Sequence, residues 1–400
     1  MIELIRQASK NLRNVVNATP LIHSSFFSRL LGTECHFKLE NLQKTGSFKA
    51  RGAYNRILSL TDRERAAGVV TASSGNHAQG VAWAGALLGV RSTIVMPENT
   101  PIMKYMATRG YGGEVVFHGS GFSEAYAHAL SLADDKGLTF IPPFDDELVM
   151  AGQGTIGLEI MDALPEVTAV VVPIGGGGLI SGIATAVKSI KPAVKVYGVE
   201  AAASSSCIAS FKEGRPVEVP SAPTIADGIA VKRIGDKTWP IIREFVDHVV
   251  DVEEKTIAAA ILKLLERKKL IAEGAGAVSV AAAMEGRLPL DGRTVFVISG
   301  GNIDVTALDK VIRLGLIREG RVVKVSTVLD DRPGELARLT SAIAGQKANI
   351  LHVVHQREAV DVPVSRIRID VIIEVEGEQH AGRVLKALSG EGYEVGSNNG

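Results

Sequence analysis

Lys49 is the first residue in the chain equipped for covalent chemistry, because of its neighbours in Ser47-Phe48-Lys49-Ala50-Arg51-Gly52-Ala53. Phe48, Ala50, Ala53 and Tyr54 predict partial burial, and Arg51 places a second cation nearby. Burial and a like charge both disfavour an ammonium, so both lower an amine's pKa, as a Schiff-base lysine requires. A lone lysine is ordinarily a solvated one, and the setting is what singles this one out. A second feature is Gly175-Gly176-Gly177-Gly178-Leu179, which follows the run Val170-Val171-Val172-Pro173-Ile174 and opens a helix expected over 180–190. Consecutive glycines let backbone N–H groups wrap an anion, and the helix N-terminus adds its dipole. No GK[ST] follows, and Gly177 to Gly182 matches a dinucleotide fingerprint only loosely, so a single phosphate fits better than a nucleotide. A plain tight turn from strand to helix is the competing reading.

Two further junctions are of the same kind. Thr71-Ala72-Ser73-Ser74-Gly75-Asn76-His77 joins an expected strand to a helix, and its hydroxyls, amide and N–H groups would cradle a carboxylate or a ring oxygen. His77 alone is more often a helix N-terminal partner than a catalyst. Phe296-Val297-Ile298-Ser299-Gly300-Gly301-Asn302 ends another strand with a hydroxyl. A phosphate loop, a carboxylate loop, a buried lysine and a strand-end serine together describe one site.

Positioning these loops calls for a particular scaffold. Short β-branched runs at 35–39, 68–72, 92–96, 114–117, 169–173, 195–199 and 294–298 alternate with helical stretches such as 78–88 and 123–135. That βαβα rhythm predicts an α/β fold with doubly wound, mostly parallel sheets, in which ligands sit beyond the carboxyl ends of the strands. The segment 313–324 breaks the rhythm with charges and glycines, and a boundary is placed at 318/319. Beyond it the expected order is strand 322–329, helix 335–345, strands 349–357 and 364–374, helix 379–388 and a last strand near Tyr393. This βαββαβ order is ferredoxin-like α+β. At 400 residues the chain needs two or three folded units.

Composition excludes several classes of function. Lys plus Arg and Asp plus Glu both number 44, so the net charge is zero and a polyanion partner such as nucleic acid is disfavoured. The two cysteines, Cys35 and Cys207, lack CxxC spacing, which argues against a disulfide framework or a zinc ribbon and fits a reducing cytoplasm. The charged N-terminus lacks the apolar core of a secretory signal, and no apolar run approaches membrane-spanning length.

The ordered set SFKARGA, SSGNHAQG, GGGGL and SGGN resembles the threonine deaminases (threonine ammonia-lyases) and their serine dehydratase and serine racemase relatives. These are fold-type II pyridoxal-phosphate (PLP) enzymes. The resemblance implies two doubly wound parallel-sheet subdomains, the smaller at roughly 45–146 inserted in the larger, within a catalytic domain over 1–318. The tail 319–400, with DDRPGELARL, resembles an ACT domain, a module that binds amino-acid effectors.

By that resemblance Lys49 holds the cofactor covalently and then acts as general base, Phe48 flanks the ring, and Asn76 bonds the phenolic oxygen. Gly175, Gly176, Gly177, Gly178 and Leu179 hold the phosphate, and Ser299 bonds the pyridine nitrogen. A serine there, unlike an aspartate, leaves that nitrogen unprotonated and the ring a weaker electron sink, which favours prompt elimination. Ser73, Ser74, Gly75, Asn76 and His77 bind substrate, and Ser74 matches the position of a second base in the racemases.

The implied reaction eliminates water from threonine, and hydrolysis of the product then gives 2-oxobutanoate and ammonia. An amino acid, with isoleucine the natural choice, would regulate it through a homo-oligomer, dimer or tetramer. Racemase relatives bind a divalent metal through a glutamate with a second carboxylate close behind. Here Glu200 precedes Ala201-Ala202-Ala203-Ser204-Ser205-Ser206, so no metal site is expected, although a monovalent cation stays open. Glu273-Gly274-Ala275-Gly276-Ala277 reads equally as a segment beside the cofactor or as a packing turn. Serine racemase or dehydratase, a non-catalytic amino-acid sensor and, more weakly, an NAD enzyme are the rival readings.

Overall fold

The structure, a computed structural model, describes residues 1–357 and 362–397. The chain divides into two compact units, Met1–Val305 and Thr306–Gly400.

In the first unit the strand Ala169–Pro173, with valines at 170–172, is buried at every position, as a central parallel strand covered on both faces must be. It lies within a six-stranded sheet in the order Leu21–His23, Glu34–Leu39, Arg293–Ile298, Ala169–Pro173, Lys195–Ala201, His248–Val252. Only the pairing of Leu21–His23 with Glu34–Leu39 is antiparallel. The chain segment between Leu39 and Ala169 builds a second sheet of four parallel strands, ordered Glu114–Phe117, Ser92–Met96, Val69–Ala72, Thr139–Phe140.

Helices cover both sheets. Where Gly178–Ile190 crosses Glu147–Ala163, a Cβ on Gly182 would stand 2.3 Å from the Met150 carbonyl oxygen. Backbone approach is therefore what Gly182 serves, rather than a nucleotide fingerprint. The loops after Ala72, Pro173 and Ile298 all leave the carboxyl ends of parallel strands, where open α/β sheets bind ligands.

The expected strands appear within two residues of their predicted ends. Three were not expected: Leu21–His23, Thr139–Phe140 and His248–Val252. The first two are too short to show periodicity, and all three take their register from a neighbouring strand.

In the second unit an antiparallel sheet runs Asn349–Gln356, Arg366–Glu374, Val322–Asp330, Gly396–Ser397. Helices Glu335–Gly345 and Glu378–Gly390 bury Leu339, Ile343, Val384 and Leu388 against Val325, Ile369 and Val371. This is the ferredoxin-like order expected, with the last strand a few residues beyond Tyr393. The break expected over 313–324 begins inside helix Val305–Arg318, and the turn at 319–321 then leads into strand Val322–Asp330. The helix's charges lie on its surface as an i,i+4 pair, Arg313 Nε 3.0 Å from Asp309 Oδ2, while Val311 and Gly315 are buried. Among the described residues no helix is long and apolar enough to cross a membrane.

Candidate active site

Lys49 is the first residue of helix Lys49–Leu58, with Phe48 at its N-cap. Two backbone ties hold this start to the strand-end loop. Ser47 bridges Gly300, and the Phe48 N–H donates to the Ser299 carbonyl at 3.1 Å. The Lys49 side chain keeps part of its surface open to the cleft, with Nζ 5.1 Å from the Phe48 ring centroid. Nζ donates to the Pro143 carbonyl at 2.6 Å. Burial pulls the amine down to about 8, against the opposing charge of Glu273.

The second cation expected to help is absent from that balance. Arg51 points to the opposite side of the helix start and is completely buried, its Nε 2.8 Å from Glu40 Oε2 and its Nη1 2.6 Å from Glu159 Oε1. Two carboxylates neutralise it, so burial rather than charge repulsion lowers Lys49.

The loop Ser73–Gly75 leads from strand Val69–Ala72 into helix Asn76–Leu88. Ser73 Oγ accepts from the Gly75 N–H at 3.2 Å, and Ser73, Ser74 and Gly75 all keep partial exposure. Asn76 Nδ2 donates to Glu273 Oε1 at 2.7 Å, and its Oδ1 accepts from Asn302 Nδ2 at 2.8 Å. His77 is placed differently from its neighbours. Its ring is buried, bonded through Nε2 to the Ile141 carbonyl at 3.0 Å. Burial, then the Lys49 charge, pulls it down to about 3, so this imidazole is neutral and its Nε2 carries the donated proton.

The glycine loop wraps the segment after Pro143. Gly177 caps helix Gly178–Ile190 at φ +94°, a conformation that costs glycine little. A Cβ on Gly176 would stand 2.3 Å from the Phe144 ring, and one on Gly178 would stand 2.9 Å from the Phe144 carbonyl oxygen. Pro143 and Phe144 therefore link the lysine to the loop. Thr238 Oγ1 donates to the Gly176 carbonyl at 2.8 Å and fixes the loop from its other side. Leu179 and Ser299 are both buried, and Ser299 Oγ donates to the Ala275 carbonyl at 3.4 Å.

Sequence reasoning left Glu273 undecided, quoted Asn302 without giving it a role, and missed Pro143 and Phe144. Glu273 is buried at the N-cap of helix Gly274–Met284, where burial, then the charge of Asp227, pushes its carboxyl up to about 7. The Asn76 bond and the charge of Lys104 pull the other way. Its backbone N–H donates to the Gly300 carbonyl, so helix cap and strand-end loop are one piece. The glutamate before the small residues was the available signal, whereas Pro143 and Phe144 act through backbone atoms and ring bulk and leave no motif.

Glu200 performs a local task. It accepts from the N–H groups of Cys207 at 2.7 Å and Ile208 at 2.9 Å, and burial pushes it up to about 7. Cys207 itself lies in the core, its thiol pushed up by burial, as is that of Cys35.

A lysine of lowered pKa, a glycine-rich helix start and an amide–carboxylate pair at the ends of parallel strands mark a cofactor-type site in an α/β scaffold. The sequence profile of "Pyridoxal-phosphate dependent enzyme" matches residues 12–300, and the chain belongs to that family. It is 52% identical to "L-threonine ammonia-lyase" of Geobacter sulfurreducens over 98% of both chains. Among solved structures it resembles the processed form of threonine deaminase isoform 2 from Solanum lycopersicum, with TM-score 0.74 and 41% identity, over 78% of this chain and 93% of that one. It also resembles maize serine racemase, with TM-score 0.75 and 35% identity, over 79% of this chain and 98% of that one.

The donor set fits the family's cofactor. The N–H groups of a helix's first turn have no partners within the helix, and here they emerge among glycines, as a phosphate dianion requires. A partly buried lysine beside an aromatic ring suits an aldehyde, and Asn76 and Ser299 are neutral polar side chains beyond the carboxyl ends of parallel strands.

Proposed function

We propose that this protein eliminates water from L-threonine and releases ammonia when the product is hydrolysed, giving 2-oxobutanoate, and treats L-serine in the same way to give pyruvate. The observation that carries the reading is the partly exposed Lys49, whose amine donates to the Pro143 carbonyl, next to Phe144, against which the glycine loop at a helix start packs. Whole-length likeness to an L-threonine ammonia-lyase supports the choice of substrate.

When bound, the cofactor holds the substrate's amino nitrogen and draws electrons from the bonds at Cα. The helix start at Gly178, with Gly175, Gly176, Gly177 and Leu179, would hold the phosphate by N–H groups and dipole. Asn76 would bond the ring's phenolic oxygen, Phe48 would flank the ring, and Ser299 would be a neutral partner for its nitrogen. The N–H groups and hydroxyls of Ser73, Ser74 and Gly75, with the N-terminal turn at Asn76 and His77, orient the substrate carboxylate. Lys49 Nζ takes the Cα proton, a task suited to an amine with a pKa near neutrality. The β-hydroxyl takes up a proton, returned by the Lys49 ammonium, as it leaves as water, and the released enamine tautomerises and is hydrolysed to oxo acid and ammonia. Ser74 orients substrate on the face opposite Lys49.

Catalysis belongs to the first unit, with the smaller subdomain near 45–146. The second unit, 319–400 together with the helix that leads into it, works as an ACT-like module that binds an amino-acid effector, isoleucine in this reading. The chain acts as a cytoplasmic homo-oligomer, a dimer or tetramer, through which that effector is felt. A second reading, racemisation of serine, draws on the likeness to maize serine racemase and would make Ser74 a base. The carboxylate of Glu200 is engaged by two backbone N–H groups, which speaks against it as a divalent-metal ligand.

The test is to supply L-threonine and L-serine to the purified holoprotein and measure 2-oxo acid and D-serine, with and without isoleucine. Oxo acid that disappears in Lys49→Ala supports the lyase, and D-serine without oxo acid supports the racemase. Rates indifferent to isoleucine overturn that effector assignment, and no product of either kind overturns the enzyme reading.

A further inference from the structure

The helix Ile102–Gly110 joins two strands of the small sheet, yet of its nine residues only Thr108 is buried. Ile102, Met103 and Met106 are each more than half exposed. From this weakly packed helix Lys104 reaches residues of the larger subdomain, its Nζ 2.6 Å from Asp227 Oδ2. Asp227 opens the short turn Asp227–Ile229, which lies against the cofactor pocket. A Cβ on Gly228 would stand 3.2 Å from Ala275 Cβ and 3.7 Å from Glu273 Oε1, and one on Gly175 would stand 3.1 Å from Ile229 Cα. One partner of the ion pair is thus seated on the pocket wall. The other rides on an element with little burial of its own, which belongs to the low-stability end of a fold.

We propose that Lys104 and Asp227 are positioning residues whose ion pair clasps the small-sheet subdomain onto the larger one beside the candidate site, holding the geometry in which Lys49 meets its substrate. The proposal rests on the reading of this cleft as the reaction site. The pair also bears on Glu273. The groups facing that carboxyl are Asp227, Lys104, Asn76, the Asn302 backbone and, across the cleft, Lys49. The Asp227 charge pushes Glu273 up and the Lys104 charge brings it down. Two substitutions that break the same clasp should therefore move the titration of the pocket in opposite directions, which loss of a structural contact alone would not do.

The experiment compares the holoenzyme with Lys104→Met, Asp227→Asn and the exchanged pair Lys104→Glu with Asp227→Lys. It measures kcat/KM for threonine from pH 6 to 9 and, separately, amide hydrogen exchange over residues 102–110. An exposed ion pair changes an equilibrium by about two- to fivefold, less at high salt. Each single variant is expected to lose about that much kcat/KM and to exchange faster by a similar factor, with the exchanged pair recovering both. The acidic limb of the pH profile moves up in Lys104→Met and down in Asp227→Asn. Exchange equal to wild type in both single variants overturns the clasp, and so does failure of the exchanged pair to recover. Acidic limbs that move the same way overturn the link to Glu273. The exchange readout needs no turnover, so an intact clasp in a protein that makes no oxo acid would sink the proposed function alone.

Discussion

The neutral fraction of Lys49 should govern how quickly the apoprotein captures its cofactor. An ordinary lysine with pKa near 10.4 is about 0.1% neutral at pH 7.5. With the amine at about 8, roughly a quarter is neutral, a gain of about 200-fold. The cause is burial, so the gain should survive high salt, unlike an effect of nearby surface charge.

The assay is stopped-flow absorbance on apoprotein mixed with PLP from pH 6 to 10, referred to the same reaction of a free lysine analogue, which cancels the cofactor's own titration. The rate ratio should be about 200 near pH 7.5 and fall as pH rises past about 8, where the free amine catches up. Glu273→Gln removes the charge that opposes burial at Lys49 and should raise the ratio and shift its fall to lower pH. A ratio near 1 at every pH, or a fall shifted upward in Glu273→Gln, would refute the burial argument.

Other outcomes follow from the same contacts. Arg51→Met leaves the buried Glu40 without its partner and should cost about 3–5 kcal/mol in urea denaturation. The catalytic pH profile should change little, because Arg51 does not act on Lys49. Gly176→Ala drives a Cβ to within 2.3 Å of the Phe144 ring. The displacement should cost about 1–3 kcal/mol in thermal unfolding and weaken PLP retention, read by equilibrium titration. Glu200, raised to about 7 by burial, holds a proton in the folded state that the unfolded chain has already released above its ordinary carboxyl pKa. Its contribution is therefore present at low pH and is lost as pH rises from about 4.5 to about 7. Denaturation of Glu200→Gln across that window should show a shallower loss of stability, and an unchanged slope would contradict the assignment.

Much of the molecule was legible before any coordinates, because its signals are local. The valine run before Gly175 can only be a strand covered on both faces, and glycines at its end can only open a helix by a tight turn. The ferredoxin-like order of the tail was readable for the same reason, since alternation in Arg366–Glu374 is a property of neighbouring residues. Signals of charge were misread where the partner is remote. Arg51 looked like a cation beside Lys49, but Glu40 and Glu159 neutralise it, the second 108 residues away. The charges near Arg313 looked like a break and turned out to be a helix surface.

Glu273 shows the limit most clearly. Its bond to Asn76 spans 197 residues, and nothing in either segment announces the other. Residue types and spacing state which chemistry is available, because propensity, periodicity and capping act over a few residues. Which groups share a low-dielectric pocket, and hence which charges add, cancel or shift a pKa, depends on distances that exist only after strands far apart in the chain have paired.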